Sequence, residues 1–173
     1  MDPRAQRGAI WLFSTAGVVY IADRLTKLWA ESRLADGAIE VIPGVFTLRF
    51  ATNPGGAFSI LPSIPWFFAA ATILVSVLIV VTAFHRRSLL QAVALGMILG
   101  GALGNLTDRA VRGPGLSGEV VDFLDPHIWP VFNLADSGIV VGALLLAWSS
   151  FRDGRTHEDV SAGPAARDDH ASA

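Results

Sequence analysis

Four long apolar runs leave this chain few ways to fold. They cover about residues 8–29, 66–84, 89–107 and 131–150, each close to the roughly 20 residues a bilayer-spanning helix needs. The second, from Trp66 to Phe84, contains no charged residue. Lipid offers the backbone no hydrogen bonds, so an apolar run of this length spans a bilayer as a helix. All five tryptophans, Trp11, Trp29, Trp66, Trp129 and Trp148, fall at or near the ends of these runs, where interfacial aromatic belts sit. The first run is longer than the core of a cleavable leader and three more follow it, so it reads as a span. The expectation is an all-α polytopic membrane protein with four transmembrane helices.

Composition supports this and removes several chemistries. Charged residues make up 16% of the chain, against about 25% in a soluble domain. Cysteine is absent, which excludes a thiol nucleophile, disulfides and cysteine-held metals. Two of the four histidines lie in the C-terminal tail, so a histidine metal cluster is not expected, and no cofactor is called for. A net charge of −2 predicts no nucleic-acid partner.

Positive charge sets the orientation. Arg4 and Arg7 precede the first run, Arg86 and Arg87 fill the turn between the second and third, and Arg152 and Arg155 follow the fourth. Arg24, Lys27, Arg33, Arg49, Arg109 and Arg112 lie at or beyond the other face, but the compact His85-Arg86-Arg87 turn decides. Both termini are therefore expected in the cytoplasm. Residues 30–65 are then outside. Within them Ile39 to Thr52 alternates Val45, Thr47 and Arg49 against Phe46, Leu48 and Phe50, next to a Pro43-Gly44 turn, which is a strand signature. Glu119 to Leu124 reads as another short strand. Together they predict a small extracytoplasmic β-element resting on the membrane. Residues 1–151 form one membrane-embedded domain in this reading. Residues 152–173, polar and rich in Gly, Ala and Asp, are expected to be a disordered cytoplasmic tail.

Polar residues inside such a chain are expensive, roughly 2.5–3.5 kcal/mol for a charge at mid-span. Five acids gather on the outer side: Asp23, Asp108, Asp122, Asp125 and Asp136. Two carboxylates brought close together cannot both ionise easily, so one keeps a proton while the other acts as base. Such a pair can activate water and protonate a leaving amine. Asp136 is one candidate member. The echo between Asn105-Leu106-Thr107-Asp108 and Asn133-Leu134-Ala135-Asp136 favours Asp108 as its partner, and the apolar strand around Val120-Val121-Asp122-Phe123 favours Asp122. An intramembrane carboxylate can also belong to a proton-coupled carrier, but these acids cluster at one face. Asp23 and Lys27, four residues apart, make a helix ion pair. Gly96, Gly100 and Gly104 form a stripe that lets another helix approach closely.

Five blocks in order carry a resemblance. They are Asp23-Arg24-Leu25-Thr26-Lys27, Asn53-Pro54-Gly55-Gly56-Ala57-Phe58, the run from Gly100 to Arg109, Val120-Val121-Asp122-Phe123, and Phe132-Asn133-Leu134-Ala135-Asp136. Together, over about residues 23–147, the chain resembles bacterial lipoprotein signal peptidase, also called signal peptidase II. The resemblance implies an aspartyl endopeptidase of the bacterial inner membrane. Such an enzyme removes the signal peptide of diacylglyceryl-modified prolipoproteins just before the lipidated cysteine, with membrane lipid as its surroundings. It implies Asp122 and Asp136 as the catalytic pair, against the Asn-x-x-Asp echo. It implies Asn53, Asn105, Arg109 and Asn133 at the substrate, with Asp23, Lys27 and Asp108 in support. Pro54 and Gly56 depart from the family pattern, and the link between Asp122 and Asp136 is short.

Overall fold

The computed structural model describes residues 2–54, 65–85 and 87–161. Four helices and three strands follow one another as α1 (Pro3–Arg33), β1 (Ile39–Ile42), β2 (Phe46–Asn53), α2 (Pro65–Val81), α3 (Leu89–Val111), β3 (Val120–Asp125) and α4 (Leu134–Ser161), with a short 3₁₀ turn at Pro114–Leu116 before β3. Helix α1 starts where Asp2 accepts the Arg4 N–H at 3.1 Å and Pro3 takes the first turn, an arrangement in which proline's missing donor matters little. Helix α3 opens on a reciprocal capping box between Ser88 and Gln91, which satisfies two otherwise unpaired backbone donors.

Helix α3 is the centre of the bundle. Its glycines explain why. A Cβ at Gly96 would stand 2.5 Å from the Leu12 carbonyl oxygen, and one at Gly100 2.5 Å from that of Ala16. From the other side, a Cβ at Gly142 of α4 would stand 2.6 Å from the Ala94 carbonyl. Helices α1 and α4 therefore rest on α3 backbone to backbone, as small residues permit. Helix α2 packs against α3, and Ile79 together with Ala83 just beyond α2 joins Leu12, Ala16, Ala92 and Leu99 in one apolar cluster.

The burial pattern is the reverse of a water-soluble protein's. Ile10, Trp11, Val18, Ile21 and Leu25 of α1, and Leu144, Trp148 and Phe151 of α4, face outward, while Asp23, Lys27, Asp108 and Asn133 are fully buried. Large contiguous apolar surface of this kind requires an apolar surrounding. Helices α3 (Leu89–Val111) and α4 (over Leu134–Arg152) are long and apolar enough to cross a membrane. Trp66–Val81 is apolar but shorter. Helix α1, at 31 residues, is about 46 Å long and carries its charges near both ends.

The three strands form one antiparallel sheet in the order β1-β2-β3, at the positions the alternation predicts. Gly44, at φ +70°, closes the β1–β2 turn, and Glu40 accepts its N–H at 2.8 Å. Strand β2 pairs with β3 with Leu48 opposite Leu124 and Ala51 opposite Asp122, so a bulge falls between. Phe123, Ala30 and Leu34 form a small core with Leu48, Phe50 and Leu124 around it. That core seats β3 on the end of α1.

Two boundaries differ from the sequence expectation. Helix α4 begins at Leu134 instead of near residue 131, because Asn133 caps it and Phe132 pairs with Leu124 of β3. It also runs through residues 152–161, which the composition assigned to a disordered tail. Extending an existing helix needs no new nucleus, and no proline interrupts the chain before Pro164. The rest of that tail, 162–173, lies outside the described residues.

Candidate active site

The polar cluster forms where the C-terminal parts of α1 and α3 meet β3 and the first turn of α4. Asn133 is the N-cap of α4. Its Oδ1 accepts the Asp136 N–H at 2.9 Å, and Asp136 Oδ2 in turn accepts the Asn133 N–H at 3.4 Å. This is a capping box written with Asn and Asp. It frees the Asn133 Nδ2 to donate elsewhere, to Asp122 Oδ1 at 2.7 Å and to Asn105 Oδ1 at 3.2 Å. Asn105 Nδ2 donates to Asp136 Oδ1 at 2.7 Å. Asn53, at the end of β2, donates to Asp122 Oδ2 at 3.2 Å. The residue before a proline favours extended backbone, so Pro54 helps keep Asn53 in the strand that delivers it. Gly55, Gly56, Ala57 and Phe58 of the same block lie outside the described residues.

Asp122 and Asp136 are thus joined through Asn133, one carboxylate from β3 and one from α4. Asp122 is buried and Asp136 half-buried. Burial first, and then the negative charge of Asp136, push the Asp122 carboxyl up from 3.8 to about 7, against the hydrogen bonds from Asn133 and Asn53 and the charge of Lys27. A carboxyl near 7 can hold or release a proton at physiological pH.

Asp108 is differently placed. It ion-pairs with Lys27 at 2.9 Å and with Arg24, has Arg112 at 3.7 Å, and accepts the Val121 N–H at 3.2 Å. Asp23 ion-pairs with Lys27 at 2.9 Å and accepts the Ala135 N–H at 3.0 Å. Gly104 leaves room for the Asp23 carboxylate, which a Cβ at that position would strike. Arg109 is buried, donates to the Gly118 carbonyl at 3.3 Å and interacts electrostatically with Asp122, Asp108 and Asp136. The fifth acid, Asp125, stands apart from the cluster. A hydrogen bond from Arg49 holds its carboxyl below the usual range, and it also accepts the His127 N–H at 3.0 Å. Strand alternation sets this, because Asp125 pairs with Thr47 further along the sheet.

Sequence reasoning gave no role to Arg24 or Arg112, and none to the backbone donors of Val121 and Ala135. Arg112 was findable, since it follows Asp108 by one helical turn. The Arg24 contact spans 84 residues of sequence and leaves no local trace.

A helical bundle with a carboxylate pair at one end holds the groups that acid–base hydrolysis uses. The comparisons narrow this. The profile of the family described as Signal peptidase (SPase) II matches residues 15–152. The chain is 43% identical to lipoprotein signal peptidase of Rhodococcus jostii (strain RHA1) over 147 residues, covering 84% of this chain and 74% of the other. It is 44% identical to that of Ectopseudomonas mendocina (strain ymp) over 163 residues, covering 87% and 93%. A bacterial membrane enzyme solved in meso at 2.3 Å superposes with a TM-score of 0.73 at 28% identity, covering 93% of this chain and 94% of that one. A second, at 1.9 Å, gives 0.70 at 32% identity, covering 82% and 93%. The chain belongs to the signal peptidase II family.

Proposed function

We propose that this protein removes signal peptides from prolipoproteins in the bacterial membrane, with Asp122 and Asp136 as its catalytic pair. The observation that carries the reading is one asparagine, Asn133, shared between two carboxylates, one of which titrates near neutral pH. Near pH 7 the pair holds a single proton between them. The ionised carboxylate takes a proton from water as it attacks the scissile carbonyl. The neutral one donates to the carbonyl oxygen, and the amine leaves with a proton returned from the pair. Asn105 and Asn133 keep the two carboxylates in register, and together with Asn53 and Arg109 they face the peptide. Asp23, Lys27 and Asp108 support them.

The cleaved bond lies just before a cysteine carrying diacylglycerol. Four spans, both termini in the cytoplasm and a site near the outer face complete the reading. It is supported by the outward-facing apolar side chains, the cationic turn at residues 85–87 and the sheet at the same end as the carboxylates. The decisive experiment is incubation of the purified protein with a lipidated prolipoprotein, followed by product mass. Release of a lipopeptide beginning at the modified cysteine is expected, and an uncut substrate would refute it. For topology, Ser88→Cys and Ser172→Cys should both resist a membrane-impermeant thiol reagent in intact cells. Labelling of both would invert the orientation.

A further inference from the structure

Lys27 is fully buried, and a buried ammonium is tolerated only when its donors are met. It faces three partners: Asp23 Oδ2, Asp108 Oδ2 and Asn105 Oδ1, each at 2.9 Å. Each partner holds a different piece of the carboxylate pair. Asp23 accepts the N–H of Ala135, the residue before Asp136. Asp108 accepts the N–H of Val121, the residue before Asp122. Asn105 donates directly to Asp136 at 2.7 Å.

The Asn105 amide has two orientations, and only one offers a donor to a carboxylate. Lys27 and Asn133 both donate to its oxygen, which turns its nitrogen toward Asp136. The two backbone holds are alike in kind although they come from different elements, β3 in one case and the first turn of α4 in the other. Among the described residues, Lys27 alone touches the anchor of each.

We infer that Lys27 is the positioning residue of the Asp122–Asp136 pair, fixing the separation of the two carboxylates and the direction of the amide between them. The inference rests on the assignment of that pair as catalytic. It goes beyond structural support, because a lysine that merely stabilised the fold would change how much enzyme folds and not how fast each folded molecule turns over. Charged groups that act on Lys27 or on its partners come from every packed element: Asp23 and Arg24 on α1, Asp108 and Arg109 on α3 with Arg112 just beyond it, Asp122 on β3 and Asp136 on α4. Its charge acts on Asp122 and opposes protonation there.

The test compares Lys27→Met and Lys27→Arg with the unaltered enzyme, on a lipidated prolipoprotein, per folded molecule. In Lys27→Met, kcat should fall about 10- to 100-fold with KM little changed, the scale expected when reacting groups drift by about 1 Å. The acidic limb of the kcat–pH profile should move up by about half a unit or more, since a cation near the pair is gone. Lys27→Arg should recover most of the pH profile. If Lys27→Met does not fold, Asp23→Asn with Lys27→Met removes a charge pair together and leaves Asp108 with Arg24 and Arg112. The same loss of kcat is expected there. Unchanged kcat and pH profile in the folded variant would overturn the inference. An active Asp122→Asn or Asp136→Asn enzyme would instead remove the catalytic pair beneath it, so the two failures are distinguishable.

Discussion

Four carboxylates share one end of this bundle, yet they live in two kinds of surroundings. Asp23 and Asp108 meet cations, with Lys27 between them and Arg24 and Arg112 on the Asp108 side. Asp122 and Asp136 meet amides, from Asn53, Asn105 and Asn133. A carboxylate held by cations serves as an anchor, tied in place by its ion pairs. A carboxylate held by neutral donors, beside another acid, keeps a proton within reach of neutral pH. The same residue type is therefore a structural tie in one pair and, in the proposed assignment, the reacting group in the other.

The sharpest way to break this contrast is to neutralise the amide-held acids. Asp122→Asn and Asp136→Asn should each lower cleavage by about 10³-fold while the protein still inserts in the membrane, as read by product mass and membrane fractionation. Cleavage at the normal rate by either would end the assignment. Next in size is the dependence on substrate lipid. An unmodified prolipoprotein should be cut at least about 100-fold more slowly than the diacylglyceryl form, since each buried CH₂ contributes about 0.8 kcal/mol toward holding the scissile bond at depth. Equal rates in a side-by-side assay would point to a general intramembrane aspartyl protease.

A smaller kinetic effect is expected from the cation-held acids. Asp108→Asn should keep turnover within about tenfold but lower stability by about 3 kcal/mol, as when one partner of a buried ion pair is lost. Thermal unfolding in detergent together with kcat separates the two. An inactive Asp108→Asn beside an active Asp122→Asn would reverse the assignment and favour the Asn-x-x-Asp echo. The smallest effect concerns pH and stability. With Asp122 raised from 3.8 to about 7, folding favours its protonated form. That contribution is complete below pH 3.8 and is lost as pH rises through about 7. Asp122→Asn should therefore unfold at a higher temperature than the unaltered protein above pH 7, each regained kcal/mol being worth roughly 2–4 °C. The gap should close toward pH 4. A constant gap across that range would remove the burial account of Asp122.

Much of this was legible in advance because the signals are local. Apolar runs mark the helices, alternation around Phe46 to Phe50 marks β2, and the i,i+4 spacing of Asp23 and Lys27 marks their pair. Asn133 was legible as a site residue but not as a helix cap, since Val131 and Phe132 continue the apolar run and hide the boundary. The polar tail after Phe151 reads as disorder by composition, yet it inherits a helix already formed. Least legible was the sorting of the acids. Asp125 leaves the cluster through strand register, and Asp108 is claimed by Arg24 from 84 residues away. The Arg24 contact has no periodicity to betray it.

The Asp23–Lys27 pair also bears on how the chain is made. Helix α1 is synthesised first, and its partners on α3 and α4 arrive later. A lone ammonium or carboxylate waiting in an apolar layer would favour expulsion of the segment. Because Lys27 and Asp23 lie one turn apart on the same helix, each would meet an apolar layer with its opposite charge already beside it. Asp108 brings its own balance through Arg112, also one turn along. Each of these buried carboxylates then has a cation on its own segment before the other helices arrive. The links between helices, Lys27 to Asp108 and Asp23 to the Ala135 N–H, close only when translation has delivered the last of them.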